Sequence, residues 1–279
     1  MSAPRESEPR GVELAKATWP EARELFDART VALVPIGSTE PHGPHLPLDT
    51  DVTIAEAQTR RAAELLAAAG VRSVILPPIA YGLTHFTAGF EGRVSLRPGT
   101  LWALLEDVVL SLEEQGVRRV VFSNGHLEPA HVKVLRGVAG DHPVADGRSG
   151  QRDGAPARAE VVFPDNTRRR WAATLGEEFA SGDCHAGRYE TSIVLAADPG
   201  SVREDERAAL PDLRIDLIEK MRAGVTSFRD AGAGDAYCGD PAAAGATEGA
   251  ELIDALAAMI VETAREAWPE LFAAEGAGR

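Results

Sequence analysis

VALVPIGSTEPHGPHLPLDTD, residues 31–51, opens with six apolar residues and continues into a loop rich in proline, histidine and acidic residues. A second stretch, RVVFSNGHLEP at residues 119–129, has the same plan: a short apolar run, then glycine, histidine and an acidic residue. A continuous apolar run bounded by charged residues and glycine is typical of a strand buried on both faces, as in parallel sheets. The two stretches therefore predict two strands of one buried sheet, each with a polar loop at its carboxyl end.

The rest of the apolar pattern alternates between strand-like runs and helical spacing. Further apolar runs predict strands at residues 71–79 and 159–163. Spacing of three and four predicts helices over residues 19–28, 52–69, 99–115 and 131–137, and a closing helix carrying Leu252, Leu256, Met259, Ile260 and Thr263. Strands separated by helices of this length need crossover connections, which favour parallel pairing. The fold class predicted is α/β.

The domain organisation follows from composition along the chain. Residues 1–17 are polar, and we expect a flexible N-terminal arm there. Residues 140–160 contain few apolar anchors and are interpreted as a loop or lid that flanks a short strand. Since no internal repeat or low-complexity linker is visible, residues 18–279 are expected to form a single α/β domain.

Charge and cysteine content exclude several classes of partner. The chain has 279 residues, a formal net charge of -14 at pH 7 and a pI of about 5.0. Such an acidic surface repels phosphate backbones and anionic lipids, so we expect neither nucleic acid nor membrane as a partner. Two cysteines without metal-finger spacing, no signal-like N-terminus and no long apolar run favour a cytoplasmic protein.

Acid–imidazole pairs follow both predicted strands. Glu40 and His42 come after the first strand, and His126 and Glu128 come after the second. Residues two apart in extended backbone point to the same side, so each loop can present one carboxylate and one imidazole together. Asp51 follows at the start of the next predicted helix. If the two strands are neighbours, these five side chains converge at the sheet edge where parallel sheets bind ligands.

Nitrogen and oxygen ligands of this kind suit Zn²⁺, Mn²⁺ or Fe²⁺. Because a single hydrolytic zinc usually takes three protein ligands, five candidates favour a site for two metal ions. Each residue also has a simpler interpretation, since Asp51 can be only a helix N-cap and each histidine only a loop residue. The repetition of one spacing at two strand exits is what favours the metal site.

Other chemically interesting residues have weaker patterns. Cys184 precedes His185 directly, but adjacent residues in extended chain point to opposite sides, so a buried structural thiol is favoured over a Cys–His nucleophile. His85 either lines the pocket or is an ordinary loop residue. His131 is predicted on a helix surface, and His45 is a candidate neighbour of the ligands.

Four stretches resemble, in order, the signatures of the creatininase (creatinine amidohydrolase) family. They are GSTEPHGPHLPLDTD (37–51), NGHLEP (124–129), HAGRYETS (185–192) and YCGDPAAAGATEGAELI (237–253). The resemblance spans residues 19–268 and implies a three-layer α/β/α fold with a mostly parallel central sheet. It also implies a homo-oligomer, commonly a hexamer, and a centre of two divalent ions, Zn or Mn, with Fe in some members.

By this resemblance the chain is a hydrolase acting on carbon–nitrogen bonds other than peptide bonds. The metal-ligand positions that it implies are Glu40, His42, Asp51, His126 and Glu128, with Asp51 bridging and Glu190 as a further ligand or a neighbour of the ligands. His185 falls on the family's active-site histidine. The catalytic residues expected are thus His185 as proton donor to the leaving nitrogen, with Glu128 and Glu190.

The chain departs from the family pattern around the expected substrate. Pro41 replaces a usual glutamine, Leu127 replaces an aromatic residue, and Ser181-Gly182 occupy a stretch where a tryptophan and an acid are expected. The predicted function is therefore hydrolysis of an amide, cyclic amides included, in a small molecule other than creatinine, by a metal-activated bridging water. Two alternatives remain: a peptidase trimming a short modified peptide, and a non-catalytic binding protein on the same fold.

Overall fold

The computed structural model of the protein describes residues 11–144 and 158–273. Its strands are β1 (Val12–Glu13), β2 (Val31–Ile36), β3 (Ser73–Ile75), β4 (Arg119–Asn124) and β5 (Glu160–Val162). Its helices are α1 (Trp19–Leu25), α2 (Thr50–Ala68), α3 (Pro98–Glu114), α4 (Pro129–Asp141), α5 (Arg169–Ala172), α6 (Gly176–Ser181), α7 (Arg188–Ala197), α8 (Glu204–Ala209), α9 (Leu217–Arg222) and α10 (Ala246–Ala267). Within the described ranges, no helix is long and apolar enough to cross a membrane.

The five strands form one parallel sheet in the order β1-β3-β2-β4-β5. β2 and β4 are neighbours and pair over their full length, from Val31 with Arg119 to Ile36 with Asn124. This register places both carboxyl ends at the same level of the sheet. The two predicted polar loops therefore leave the sheet side by side.

Helices cover both faces of the sheet. Ala32, Val34 and Ile36 of β2 point to one face, where they pack with apolar residues of α3 and α4. Val31 and Leu33 point to the other face, which α2 and α10 cover. The prediction of a three-layer α/β/α fold with a parallel central sheet is confirmed. An apolar run at β2 follows directly from burial on both faces.

α7 belongs to the layer formed by α2 and α10. Ile193 of α7 shares an apolar cluster with Ile54 of α2 and with Leu256 of α10. This packing fixes the N-terminal turn of α7 beside the carboxyl ends of β2 and β4.

The prediction of a flexible arm over residues 1–17 is wrong for its second half. Val12 and Glu13 form edge strand β1, paired with Val74 and Ile75 of β3. An edge strand of two residues is too short to produce an apolar alternation that sequence can reveal. Residues 1–10 of the arm, and residues 145–157 of the predicted lid, lie outside the described residues.

Two glycines allow the first turn of α2 to rest on both strand ends. A Cβ atom at Gly37, after β2, would lie 2.6 Å from the backbone nitrogen of Val52. A Cβ atom at Gly125, after β4, would lie 2.2 Å from the carbonyl oxygen of Asp51. Only glycine permits this approach, because real Cβ atoms do not come so close to backbone. Asp51 is thereby held between the two strand exits.

We expect Gly125→Ala to destabilise the protein by about 2 kcal/mol or more, because backbone of α2 has to move away from the added methyl group. The free energy of unfolding in urea measures this effect. Gly99→Ala is the matched control, since a Cβ atom at Gly99 in α3 meets nothing within 4 Å. The control should change the free energy of unfolding by no more than about 0.5 kcal/mol, as is usual for an exposed site. Equal stability of the two variants would contradict the close approach.

Candidate metal centre

Four elements bring five buried ligand-type side chains to one place. Glu40 and His42 lie in the loop after β2, and His126 lies in the loop after β4. Asp51 lies in the first turn of α2, and Glu190 lies in the first turn of α7. Each of these residues is at most 3% exposed. Burial of three carboxylates in one place is costly unless cations compensate them.

Distances between the side chains define two groups that share Asp51. In the first group, Nδ1 of His126 lies 3.0 Å from Oε1 of Glu40 and 2.9 Å from Oδ2 of Asp51. In the second group, Nε2 of His42 lies 3.2 Å from Oδ1 of Asp51 and 3.5 Å from Oε2 of Glu190. Within each group, all three ligand atoms lie within 4.8 Å of one another. The two oxygens of Asp51 thus face different groups, as in a bridging carboxylate.

Both imidazoles use their far nitrogen to donate to a backbone carbonyl. Nδ1–H of His42 donates to the carbonyl of Glu40 at 3.1 Å, and Nε2–H of His126 donates to the carbonyl of Leu83 at 2.6 Å. These bonds hold the opposite nitrogen of each ring toward the carboxylates. Nε2 of His42 is fully buried there without a hydrogen-bond partner. Metal-binding histidines have this arrangement, so the residues fit a pair of cations.

The electrostatics of the cluster favour positive charge in the same place. Burial opposes protonation of His42, but the Asp51 and Glu190 carboxylates outweigh it and raise the pKa of His42 to about 10. Burial likewise opposes protonation of His126, yet Glu40 and Asp51 hold its pKa well above the usual value. A divalent ion between the rings and the carboxylates supplies the charge that the imidazoles otherwise take up as protons.

Neighbouring polar groups hold the carboxylates in orientation. Asp51 accepts a hydrogen bond from Oγ of Ser38, and Glu40 accepts one from Oγ1 of Thr87 at 3.1 Å. Glu190 accepts the backbone N–H of Ala186 at 2.6 Å. Burial raises the pKa of Glu190 to about 8. Its ionised form therefore needs a cation nearby at neutral pH.

His185 lies against the second imidazole and faces the same centre. Its ring packs between His42, at a centroid distance of 4.4 Å, and Phe228, at 4.3 Å in a stacked arrangement. Its Nε2–H donates to the carbonyl of Pro41 at 3.0 Å. Burial, together with the charge of His42, lowers the pKa of His185 to about 4. The ring is therefore neutral near pH 7, with its proton on Nε2 and none on Nδ1.

Glu128 stands beside the two groups instead of inside them. Its carboxylate accepts the N–H of Phe86 at 3.1 Å and lies 3.1 Å from Nδ1 of His85. Among the described residues there are three groups of potential ligands, the two that share Asp51 and a third of Glu40, His42 and His185, and none of them includes Glu128. Burial raises the pKa of the Glu128 carboxyl. The structure thus places Glu128 beside the ligand groups, and both its predicted ligand role and its predicted catalytic role stay predictions.

A cavity of about 290 Å³ opens above the centre. Glu40, Asp51, His126, Glu128, His185 and Glu190 are among the polar residues on its wall. Most of the remaining wall is apolar and includes Phe86, Leu127, Phe179, Leu217, Ile218, Met221 and Phe228. A polar floor below apolar walls is the usual design of a small-molecule site.

The structure decides several of the weaker interpretations. The buried thiol at Cys184 is confirmed, and burial raises its pKa well above the usual value, so no thiolate forms at neutral pH. His85 is half-exposed and pairs with Glu128. His45 is buried, with Nε2 against Thr191. The prediction of a surface position for His131 is wrong: the ring is fully buried, because the first turn of α4 faces the sheet edge.

Sequence reasoning missed much of the cavity wall. Phe228 and the residues of α9 carry no motif, and only the folded chain brings them to the metal-ligand loops. His131 did carry a signal, because it lies two residues after the proline that begins α4 and so falls in the first helical turn. That turn packs on the end of β4, where Nε2 of His131 lies 3.1 Å from Oδ1 of Asn124.

Parallel strands ending at a cluster of carboxylates and imidazoles, within a three-layer fold, define the class of α/β hydrolases with potential metal-binding residues. The family model described as "Creatininase: Creatinine amidohydrolase" matches residues 15–264. The chain belongs to the creatininase family. The prediction that it is an enzyme, a hydrolase of the amidohydrolase type, is thereby confirmed.

Relatives and solved structures agree with this assignment. The mycofactocin precursor peptide peptidase of Mycolicibacterium smegmatis is 35% identical over 246 residues, covering 86% of this chain and 87% of the relative. The creatinine amidohydrolase of Pseudomonas putida is 31% identical over 219 residues, covering 70% and 75%. A solved manganese creatininase superposes with a TM-score of 0.68 at 22% identity, covering 93% of this chain and all of that one.

We expect the purified protein to hold two divalent ions per chain, and single substitutions to remove them separately. His126→Ala removes the ion of the first group, Glu190→Gln removes that of the second, and Asp51→Asn lowers both, because the groups share its carboxylate. Elemental analysis after dialysis measures the metal content.

Two controls sharpen this experiment. Glu106→Gln alters an acid–imidazole pair of the same chemistry, since Glu106 lies 3.1 Å from His142 away from the centre, and it should keep both ions. Glu128→Gln should also keep both ions, because the Glu128 carboxylate is bonded to His85 and Phe86. Loss of a single ion in Asp51→Asn, with the other fully retained, would contradict the bridging geometry.

Proposed function

We propose that the protein is a two-metal amidohydrolase that cleaves an amide bond next to an apolar group of its substrate. The observation that carries this proposal is the shared Asp51, whose two oxygens face two imidazole-containing groups at the floor of an apolar cavity. Zn or Mn is the expected metal, with Fe as a further option, because all the ligands are nitrogen and oxygen. When bound, such ions activate a water molecule and polarise an amide carbonyl.

The ligand set proposed follows the two groups. Glu40, Asp51 and His126 would hold one ion, and His42, Asp51 and Glu190 would hold the other. This assignment differs from the family-based expectation only at Glu128, which we propose as a catalytic group. Retention of every ligand argues against a non-catalytic binding protein, because three buried carboxylates without a function would only destabilise the fold.

Protons have to move during amide hydrolysis, and two residues on the wall can carry them. The water that adds to the carbonyl carbon gives up a proton, and the departing nitrogen takes one as the carbon–nitrogen bond breaks. We propose that Nδ1 of His185 accepts the first proton and delivers it to the departing nitrogen, because Nε2–H is engaged by the Pro41 carbonyl and Nδ1 is the unprotonated nitrogen. We propose Glu128, whose pKa is raised by burial and which lines the same cavity, as a second group that can exchange a proton there.

The cavity walls support an apolar substrate. Leu127, Leu217, Ile218 and Met221 provide aliphatic surface, and Phe86, Phe179 and Phe228 provide aromatic surface. Burying apolar substrate surface here contributes about 25 cal/mol per Å². Creatinine is small and polar, and gains little from such walls. The proposal therefore retains the expectation that creatinine is not the substrate.

A second candidate function is the trimming of a short peptide. The relatives favour it: mycofactocin precursor peptide peptidases from Mycolicibacterium smegmatis and Mycobacterium ulcerans are 35% and 33% identical over most of their length. An apolar wall also suits a hydrophobic side chain beside a scissile peptide bond.

As for assembly, a homo-oligomer, with a hexamer as the expected form, stays part of the proposal on the ground of family membership.

We expect the metal-loaded protein to hydrolyse amides that carry an aromatic or branched aliphatic group beside the scissile bond. A panel of such amides, matched short peptides, and creatinine, assayed by mass spectrometry, tests this expectation. Chelation should abolish turnover, and Mn²⁺ or Zn²⁺ should restore it. Faster cleavage of peptides than of amides would favour the second candidate. Turnover of creatinine alone, or turnover that survives complete chelation, would contradict the proposal.

We also expect Ile218→Asn to raise KM for an apolar amide about 10-fold while kcat changes little. A polar group on the wall removes roughly 1–3 kcal/mol of apolar contact from substrate and transition state alike. Leu104→Asn is the matched control, because Leu104 is 38% exposed, as Ile218 is 39% exposed, but lies on α3 outside the cavity wall. Steady-state kinetics distinguish the two variants. An unchanged KM in Ile218→Asn would exclude this wall as a substrate contact.

A further inference from the structure

His131 lies directly behind the first ligand group. Its ring is fully buried and contacts that of His126 edge to face, with centroids 4.7 Å apart and planes at 79°. It is absent from the ligand groups among the described residues, and the cavity wall does not include it. A buried polar ring in this place needs hydrogen-bond partners, and both of its nitrogens have them.

The two partners of His131 are the groups that hold His126. The backbone N–H of Leu83 donates to Nδ1 of His131 at 3.4 Å, and the carbonyl of Leu83 accepts Nε2–H of His126 at 2.6 Å. On the other side, Nε2–H of His131 donates to Oδ1 of Asn124 at 3.1 Å. The same oxygen accepts the backbone N–H of His126 at 3.3 Å, and Nδ2 of Asn124 donates to the carbonyl of His126.

These hydrogen bonds connect His131 to His126 by two arms, one through Leu83 and one through Asn124. One arm, through Leu83, fixes the orientation and the tautomer of the His126 ring, because a carbonyl can only accept. The other arm, through the Asn124 amide, fixes the backbone from which that ring projects. Both arms meet in the single ring of His131, which is therefore held as the tautomer with a proton on Nε2.

The chain segment before Leu83 is shaped to reach this ring. A Cβ atom at Gly82 would lie 2.6 Å from Nδ1 of His131, so only glycine lets the segment approach closely enough for the Leu83 bond. The close approach of Gly82 to His131 thus positions the N–H of Leu83 against His131 and the carbonyl of Leu83 against His126.

We propose that His131 is a positioning residue that sets the affinity of the first ligand group for its metal ion by fixing the backbone and the ring of His126. This inference rests on the proposed two-metal centre. Partners that orient a metal-binding histidine typically change metal affinity by 10–100-fold when they are removed. His131 acts through two bonds at once, so its removal leaves the N–H of Leu83 unpaired and leaves Oδ1 of Asn124 with only the backbone N–H of His126.

The test compares zinc dissociation constants in the Glu190→Gln background, in which the first group alone is expected to keep its ion. Competition with a chromogenic chelator measures the constant. His131→Phe, which keeps the ring packing and loses both hydrogen bonds, should weaken binding 10–100-fold. His131→Gln, which can still donate to Asn124 but leaves Leu83 unpaired, should give a smaller loss. It also serves as the test if the phenylalanine variant does not fold.

His142→Phe is the matched control. His142 is another buried imidazole with two hydrogen-bonded nitrogens, to the carbonyl of Ala159 and to Glu106, and it lies away from the centre. It should lower thermal stability as much as His131→Phe does and leave the zinc constant unchanged. An unchanged constant in both His131 variants, or an equal loss in His142→Phe, would overturn the inference alone. A wild-type chain that binds no divalent ion would overturn the proposed function with it.

Discussion

Three buried carboxylates lie within reach of two imidazoles, and the rest of the site is arranged to tolerate this concentration of negative charge. Asp51 is central, because each of its oxygens faces a different imidazole. Hydrogen bonds from Ser38 and Thr87 reduce the cost of burying the carboxylates but cannot neutralise them. Only cations can neutralise the carboxylates. The same negative charge raises the pKa values of His42 and His126, so these rings take up protons when no metal ion is bound.

This charge cluster depends on the sheet beneath it. β2 and β4 pair in register to their last residues, so their loops leave the sheet together. Because Gly37 and Gly125 have no Cβ atom, the first turn of α2 packs directly against both loops, which places Asp51 between them. A side chain at either glycine would separate the helix from the sheet. The strand register and two missing Cβ atoms are therefore what convert three separate sequence segments into one centre.

The sequence predicted the central strands and the loops after them well, because the patterns that reveal them span only a few neighbouring residues. Strand β2 has the predicted bounds, and the apolar run that reveals it reflects burial on both faces. The acid–imidazole spacing after β2 and β4 likewise predicted that Glu40, His42 and His126 converge, whereas Glu128 lies beside the ligand groups. Edge strand β1 was missed because two residues carry no period. The cavity walls, from Phe228 and α9, and the engagement of Glu128 by His85 and Phe86 depend on long-range packing that no local pattern encodes.

Local sequence patterns locate the polar residues of the site, whereas substrate specificity depends on residues that long-range packing brings together. A relative that is 35% identical to this chain has a peptidase name, and one that is 31% identical has the name of a creatinine amidohydrolase, so overall identity does not select a substrate. The polar floor comes from the segments that carry motifs, whereas most of the apolar wall, apart from Leu127, comes from segments without motifs. Each methylene buried against such walls contributes about 0.8 kcal/mol. We therefore expect that a few substitutions on α6, α9 or the Phe228 segment change the preferred substrate while the proposed metal ligands stay unchanged.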